Sequence, residues 1–307
     1  MGSCPELTPS TAVGNQKEAK ANMSAEKIRE SVIAGTWYPA DRALLKEELG
    51  RYLDRVRPSD LEGELTGLVV PHAGYIYSGS VAAWSYKLLL KSRFDRVLIL
   101  APSHQESFAG ASIYNLGGYR TPLGIVPLDL ELIDELYKNT AIIHYVPQAD
   151  SREHSLEIQL PFLQIVLDSF SLTPVIMGTQ RYDFCLKLAE AIAQACSNKR
   201  VLIIASSDLS HYYPYEKAML LDGVCLERLN CFDPQGLAAE VENQRTQACG
   251  AGPLITLMLA AKKLGADRCK VLNYANSGDV TGDRSGVVGY VAAAIYRSAK
   301  NEESPKL

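Results

Sequence analysis

The sequence predicts an α/β fold in which a central, mainly parallel sheet is flanked by helices on both faces. Short apolar runs of strand length alternate along the chain with longer segments of helical periodicity. The apolar runs are continuous and do not alternate with polar residues, which is typical of strands buried on both faces. No linker rich in proline or glycine and no run of like charge divides the chain after residue 27. We therefore predict a single domain over residues 27–300.

The elements of the first half follow from periodicity and from proline. Leu45, Leu49 and Leu53 recur at four-residue steps among charged residues and predict a helix. Pro71 and Pro102 each end a short apolar run and mark the ends of two strands. In chain order we predict helix 40–56, strand 67–70, helix 81–90, strand 96–101, helix 128–138 and a helix over 156–170 that is bent or interrupted near Pro161.

The second half repeats the same alternation. We predict strand 175–177, helix 182–197, strand 201–205, helices 218–230 and 253–264, and strands 271–274 and 287–295. Residues 96–104 and 200–208 are identical at six of nine positions, and each segment runs from a strand into a polar turn. The likeness is either coincidence among buried strands or a sign of two equivalent site-bearing loops, because sites in open α/β sheets form at the carboxyl ends of strands.

Composition and charge exclude several functions. Lys and Arg total 31 against 35 Asp and Glu, a net charge of −4, which leaves no electrostatic footprint for nucleic acid or an anionic membrane. Residues 1–26 are polar without the apolar core of a signal peptide, so we expect a flexible tail, with Met1 or Met23 as the start. The longest uncharged stretch near the C-terminus, 287–296, is too short to span a bilayer. A cytoplasmic protein is expected.

The five histidines carry most of the functional information. His72, His104 and His211 follow predicted strand ends, and His154 lies in a polar segment, whereas His144 has the setting of a structural residue. Parallel strands bring their following loops to one edge of a sheet. A cluster of histidines at that edge suits a metal or acid/base site. Taken singly, each histidine has a structural role as its alternative.

Cys249 is the one cysteine in a suggestive setting. The seven cysteines include no Cys-x-x-Cys pair, so we expect reduced thiols rather than a disulfide framework or a zinc ribbon. Cys249 precedes a predicted helix that has Pro253 in its first turn. A helix N-terminus favours the thiolate, the form that binds metals or acts as a nucleophile. A small buried residue in a tight turn is the alternative.

Two acid–histidine pairs have three-residue spacing. His154 and Glu157 would share a face at the start of a helix, where Glu157 either orients His154 or both are surface residues. Asp208 and His211 lie in a predicted loop, where Asp208 would fix the tautomer of a general base.

A hydrolase with a Ser–His–Asp triad is an alternative, although the sequence lacks a Gly-x-Ser-x-Gly elbow. Its candidate nucleophiles are Ser103, Ser206 and Ser207. The polar, glycine-rich segment 277–286 is interpreted as a mobile surface loop, and the alternatives are that it covers a site or binds an anion, although it lacks the spacing of a phosphate-binding loop.

Eight short motifs, in order from about residue 28 to 296, resemble those of the Memo family. They are Ala34-Gly-Thr-Trp-Tyr38, Pro71-His-Ala-Gly-Tyr75, Ala101-Pro-Ser-His104, Tyr119-Arg-Thr-Pro122, His154-Ser-Leu-Glu157 with Leu160-Pro161, Ser206-Ser-Asp208 with His211, Ala248-Cys-Gly250 and Leu272-Asn-Tyr-Ala275. The prokaryotic branch of the family is called AmmeMemoRadiSam system protein B. That resemblance implies a functional link to radical SAM and AMMECR-type proteins.

The resemblance also implies a fold like that of the class III extradiol dioxygenases, which are non-haem iron enzymes. It implies a metal centre at His72, His104 and Cys249, with Asp208 and His211 in the same pocket and His211 as the acid/base group. His154 would be a further pocket residue.

Cys249 departs from the dioxygenases, which use two histidines and a carboxylate. The resemblance implies iron as the first choice of metal. Because a thiolate is a softer ligand, copper or zinc are alternatives, and ring cleavage is not implied.

Two functions therefore remain open. One is a mononuclear metal protein with redox capacity, or an oxidoreductase, acting on an unknown small molecule or peptide. The other is a non-catalytic module that binds a peptide or protein in the same cleft.

Overall fold

A computed structural model describes residues 28–57 and 61–299. The predicted tail (1–26), the alternative start Met23 and the predicted domain end at residue 300 lie outside the described residues. The strands are β1 (Ile28–Arg29), β2 (Gly63–Val70), β3 (Arg96–Pro102), β4 (Ala111–Ser112), β5 (Gly118–Thr121), β6 (Gly124–Pro127), β7 (Ile143–His144), β8 (Ser171–Met177), β9 (Val201–Ser206), β10 (Asp208–Tyr213), β11 (Arg268–Asn276) and β12 (Val287–Ser298).

Helices alternate with these strands over most of the described chain. They are α1 (Arg42–Arg55), α2 (Tyr75–Lys87), α3 (Leu130–Asn139), α4 (Pro147–Ser151), α5 (Leu160–Val166), α6 (Tyr182–Cys196), α7 (Tyr215–Asn230), α8 (Pro234–Glu242), α9 (Ala251–Lys263) and α10 (Ser277–Thr281). Two 3₁₀ helices, Leu88–Lys91 and Glu157–Gln159, complete the described helical structure.

The large sheet has the strand order β10-β12-β2-β9-β3-β8-β4-β7, with β11 paired to β12. Its centre, β2-β9-β3-β8, is parallel throughout, whereas β12 joins β2 antiparallel and β4 joins β8 antiparallel. The parallel character that the sequence predicts therefore holds for the central strands, and the flanking strands make the sheet mixed. β1, β5 and β6 form a separate small sheet.

Two groups of helices cover the large sheet. In the first, α9 packs on α6 and lies across β9, β3 and β2. In the second, α1, α2 and α5 pack together, and α2 lies on β12, β11 and β2. Because both groups contact β2 and β12 but remain separate, they lie on opposite faces. The predicted α/β class, with helices flanking a central sheet, is confirmed.

Several element boundaries differ from the predictions. Helix α2 begins at Tyr75, six residues early, because Ser78 and Gly79 in its first turns obscure the apolar periodicity. The predicted helix over 156–170 is a 3₁₀ helix followed by α5, and Pro161 lies in the first turn of α5, where its missing N–H costs nothing. Helix α8 is not predicted, although Asp233 caps it and Pro234 begins it.

Two segments interpreted as loops contain regular structure. Asp208 and His211 lie in strand β10, which pairs antiparallel with β12 through shifts in register on either side of His211. At one of those shifts Tyr212 adopts φ 63°, a strained conformation for an aromatic residue. Segment 277–286 opens with α10, which Asn276 and Asp279 cap reciprocally.

No helix of the described residues has both the length and the apolarity that a membrane span requires.

Candidate metal centre

The carboxyl ends of three neighbouring strands place the two predicted histidine ligands side by side. His72 follows β2 by two residues, and His104 follows β3 by two residues. Strand β9 lies between β2 and β3, so its end at Ser206 separates the two loops. The His72 and His104 rings lie 5.1 Å apart between centroids. The similar segments 96–104 and 200–208 contain β3 and β9, which are adjacent parallel strands, so both segments end at this edge of the sheet.

Cys249 completes the cluster from the start of α9. Its Sγ lies 3.0 Å from Nε2 of His72, and one ligand atom from each of His72, His104 and Cys249 lies within 4.8 Å of the others. The predicted ligand set is therefore brought together. The close approach needs Gly250, since a Cβ there would lie 2.4 Å from the carbonyl oxygen of Ser206.

The hydrogen bonds of Ser206 fix the tautomer of His72. The Ser206 hydroxyl donates its only proton to the Ser155 carbonyl at 2.6 Å and accepts from Nε2 of Gln159 at 2.8 Å. Nδ1 of His72, 2.9 Å away, must therefore donate to Ser206, which leaves a lone pair on Nε2. Burial lowers the pKa of His72 well below its ordinary value, so the ring is neutral at neutral pH. A neutral ring with a free Nε2 is a metal ligand.

Nδ1 of His104 has a carboxylate, that of Glu153, as its hydrogen-bond partner. Nδ1 of His104 lies 2.9 Å from Oε1 of Glu153, and the backbone N–H of His104 donates to Oε2 at 2.6 Å. Glu153 was not predicted as a site residue. The sequence signal was present, because Glu153 immediately precedes His154, but nothing in the spacing linked it to His104.

Burial and the helix end act in opposite directions on the thiol of Cys249. Sγ accepts the backbone N–H of Asp208 at 3.3 Å, but burial raises the pKa of Cys249 above its ordinary value. Desolvation of the sulfur thus opposes the effect of the helix end, and the thiolate at this helix N-terminus stays a prediction. A bound cation would displace the thiol proton.

The predicted pairing of Asp208 with His211 is wrong. Oδ1 of Asp208 accepts the backbone N–H groups of His72 at 2.7 Å and Ala73 at 3.3 Å, and burial raises the pKa of Asp208 to about 7. His211 donates through Nδ1 to the Leu209 carbonyl at 2.7 Å, which leaves Nε2 as an acceptor. Burial lowers the pKa of His211. Strand geometry explains the failure, because a three-residue spacing in β10 does not place both side chains on one face.

The second predicted pair, His154 with Glu157, does not form either. His154 precedes the 3₁₀ helix and packs its ring against Trp37 and His104, at centroid distances of 4.3 and 4.6 Å. Glu157 is fully buried and pairs with Arg29 at 2.6 Å. Burial lowers the pKa of His154 to about 4, so this ring is neutral as well.

One cavity of about 790 Å³ connects these groups. Five of the predicted site residues line it, and Cys249 contacts His72 beside it. The lining residues include His72, His104, His154, Asp208 and His211, with Trp37, Tyr77, Tyr212 and Tyr290 as aromatic walls. Ser277, Thr281, Asp283 and Gly286 also line the cavity, so segment 277–286 forms part of the site.

The serines named for a hydrolase are poorly placed as nucleophiles. Ser206 and Ser207 are fully buried, and each hydroxyl donates to a backbone carbonyl. Ser103 donates to the carbonyl of Glu106. A serine that gives its proton to a carbonyl is not activated by a histidine base, so the geometry favours the metal site.

The described cysteines outside the site are free thiols. Cys185, Cys196, Cys225 and Cys269 are buried, and Cys231 is exposed. The structure therefore contains no disulfide among the described residues, and the reduced state of the cysteines stays a prediction.

Comparison with known proteins supports the family that the sequence motifs indicate. The model of the Memo-like protein family matches residues 29–294. The chain belongs to the Memo-like family. A MEMO1 family protein of Sulfolobus acidocaldarius is 39% identical over 279 residues, covering 86% of this chain and 98% of the relative. A MEMO1 family protein of Methanocaldococcus jannaschii is 38% identical over 286 residues, covering 88% and 99%.

A crystal structure of an uncharacterised protein from Escherichia coli K12 is similar at 11% identity with a TM-score of 0.49. The similarity covers 75% of this Memo-like chain and 99% of the other chain.

Proposed function

We propose that this Memo-like protein holds one transition-metal ion at His72, His104 and Cys249 and has redox capacity, acting as an oxidoreductase on an unidentified small molecule or peptide. The observation that carries the proposal is the convergence of two imidazoles and a thiol, with ligand atoms within 4.8 Å of one another. Neutral imidazole and thiolate suit iron, copper and zinc. We propose iron first, with copper or zinc as alternatives.

The residues present fit such an ion. Nδ1 of His72 is bound by Ser206 and Nδ1 of His104 by Glu153, so each ring has its Nε2 left for a ligand role. The sulfur of Cys249 supplies the soft third donor. When bound, the metal would supply Lewis acidity and electron transfer.

The remaining predicted site residues, His211, Asp208 and His154, would transfer protons or hold the substrate. His211 takes up a proton at Nε2, because Nδ1 is committed to Leu209. Asp208, with a pKa of about 7, exchanges a proton near neutral pH. His154 and Trp37 wall the cavity and hold a substrate near the cluster.

We further propose that the protein is a B component of the AmmeMemoRadiSam type, works in the cytoplasm beside radical SAM and AMMECR-type proteins, and is related to class III extradiol dioxygenases. The ordered motifs support this assignment. The free thiols of the described residues support a reducing compartment.

Metal analysis after anaerobic purification tests the metal site. We expect close to one equivalent of iron, copper or zinc in the wild type and loss of the metal in His72→Ala. The matched control is His144→Ala, which removes an exposed histidine outside the cavity. A wild-type protein that takes up none of these ions, or a His72→Ala variant that retains full metal content, would overturn the proposal.

A second candidate function is peptide or protein binding in the same cleft. Tyr212 is 80% exposed, Ile76 67% and Tyr77 40%, and all three line the cavity. Exposed apolar residues around a cleft suit a binding surface. If a peptide from an array binds the wild type and His72→Ala equally but Tyr212→Ala weakly, binding without the metal is favoured. Binding that disappears with the metal counts against it.

A further inference from the structure

Glu153 is neither a metal ligand nor a proton-transfer group in the function proposed above, although its carboxylate lies beside the ligands. The residue is 1% exposed, yet no lysine or arginine of the described residues pairs with its carboxylate, which lies instead beside the imidazoles of His104 and His154. Donors from His104 and Ser155 lie against both of its carboxylate oxygens, an arrangement that stabilises the ionised form of a buried carboxyl group.

Five donor contacts hold this carboxylate. Oε2 accepts the backbone N–H of His104 at 2.6 Å. Oε1 lies 2.9 Å from Nδ1 of His104 and accepts from the backbone N–H of His154, the backbone N–H of Ser155 and the Ser155 hydroxyl at 3.0, 3.0 and 2.7 Å.

Because these five contacts already satisfy its carboxylate, Glu153 is not expected to bind a metal ion directly. His104, Glu153 and His154 also bring potential ligand atoms within 4.8 Å of one another. An ion there would have to displace several of the five donors that already satisfy the carboxylate, each of which would be left buried and unpaired. The contacts favour an anchoring role over a second metal site.

The anchor holds His104 at two points. One oxygen fixes the backbone of the loop after β3, and the other fixes the imidazole by accepting from Nδ1. The nitrogen left for the cluster is Nε2. The corresponding partner of His72 is the neutral hydroxyl of Ser206, so the two imidazoles differ in that only His104 is backed by a negative charge. A carboxylate behind a ligating histidine raises its basicity and holds its orientation.

We propose that Glu153 is the positioning residue of the metal centre, fixing the His104 ring with Nδ1 protonated and Nε2 directed at the site and strengthening His104 as a donor. This inference rests on the proposed function for its metal part. The tautomer of His104 can be measured in the metal-free protein and tests the inference on its own.

The test uses two measurements on the full chain. Long-range ¹H–¹⁵N spectra of the metal-free protein report which nitrogen of His104 carries the proton. Competition between a chelator and the protein for Co²⁺ gives an affinity, and the thiolate-to-cobalt absorption reports Cys249. We expect the Nδ1–H tautomer in the wild type. In Glu153→Gln we expect loss of that fixed tautomer and Co²⁺ binding weakened about 10- to 100-fold.

The matched control is Glu157→Gln, the same substitution at a fully buried carboxylate four residues along, whose ion pair is with Arg29. It should lower the melting temperature while leaving the tautomer and the Co²⁺ affinity unchanged. The proposal is overturned if wild-type His104 carries its proton on Nε2, or if Glu153→Gln keeps the Nδ1–H tautomer. It is equally overturned if Glu157→Gln weakens Co²⁺ as much as Glu153→Gln does.

Wild-type protein that has the expected tautomer but binds no Co²⁺ would sink the metal function and leave the anchoring of His104 intact. If Glu153→Gln does not fold, the wild-type tautomer still decides the question. Glu153→Asp, which keeps the charge on a shorter side chain, should then bind Co²⁺ with intermediate affinity, and an affinity equal to that of the wild type would count against the proposal.

Discussion

The sulfur of Cys249 lies 3.0 Å from Nε2 of His72, although 177 positions separate the two residues in the chain. The histidine comes from the end of β2, and the cysteine comes from the residue before the cap of α9. Hydrogen bonds fix both side chains. Nδ1 of His72 donates to the Ser206 hydroxyl, and Sγ of Cys249 accepts the backbone N–H of Asp208. The fold therefore holds the thiol of Cys249 in a fixed position beside His72.

Replacing that sulfur should remove the soft donor and leave the fold. We expect Cys249→Ser to weaken Co²⁺ binding by more than about 100-fold, since it loses a direct ligand rather than an outer partner, and to abolish the thiolate-to-cobalt absorption. Titration in the presence of a chelator measures this. Cys231→Ser, at an exposed thiol, is the control and should behave as wild type. Equal affinity in both variants would contradict the assignment of Cys249.

The turn behind Cys249 should tolerate no side chain. A Cβ on Gly250 would lie 2.4 Å from the Ser206 carbonyl oxygen, so Gly250→Ala should destabilise the protein by about 1–3 kcal/mol. Urea unfolding is the measurement. Gly223→Ala, in helix α7 with nothing within 4 Å, should instead stabilise by about 0.5–1 kcal/mol. A neutral Gly250→Ala variant would mean that this turn can move.

A buried carboxyl away from the site should give the stability a pH dependence. Burial raises the pKa of Asp150 from 3.8 to about 6, where it accepts from Tyr119 and Ser112. Because the folded protein binds this proton more tightly, the stabilisation is complete below pH 3.8 and is lost as the pH rises through 6. The shift of about two units corresponds to about 3 kcal/mol.

Asp150→Asn removes that titration. The free energy of unfolding of the variant, compared with wild type, should therefore rise by about 3 kcal/mol between pH 4 and pH 7. Denaturant unfolding at a series of pH values checks it. A difference between the two proteins that does not change with pH would show that Asp150 titrates at its ordinary value.

Glu157 should matter for stability and not for the metal. Its pairing with Arg29 is buried on both sides, so Glu157→Gln leaves an unpaired guanidinium and should cost about 3–5 kcal/mol. The control is Glu64→Gln, which breaks an exposed pair with Arg297 and should cost at most about 1 kcal/mol. Thermal and urea unfolding separate the two. Similar losses in both variants would contradict a structural role for the buried pair.

Much of the ligand set could be read from the sequence for a simple physical reason. Continuous apolar runs end at Pro71 and Pro102, and loops that follow parallel strands meet at one edge. His72 and His104 could therefore be placed together without any contact information. Cys249 was found from the Gly and Pro residues that start a helix, whereas the burial of its sulfur is a property of the assembled fold.

The pairings that failed were inferred from local spacing. Three-residue spacing indicates a shared face only in a helix, and His154 precedes the helix while Asp208 and His211 lie in a strand. The contact that matters for His104 is with Glu153, 49 positions away, and no periodicity connects them. Local patterns could predict the elements and the edge of the sheet. The partners across that edge depend on tertiary packing, which a single sequence does not encode in its spacing.

The separation of the ligands along the chain also sets the order of events in folding. No short segment contains His72, His104 and Cys249 together, so β2, β3 and α9 must dock before an ion meets three donors. A cation therefore cannot nucleate this fold as zinc does in small fingers, where the ligands lie close in sequence. An ion held by these three residues would therefore bind after folding and would stabilise the protein by binding only its native state. The metal-free protein would have to be stable without the ion.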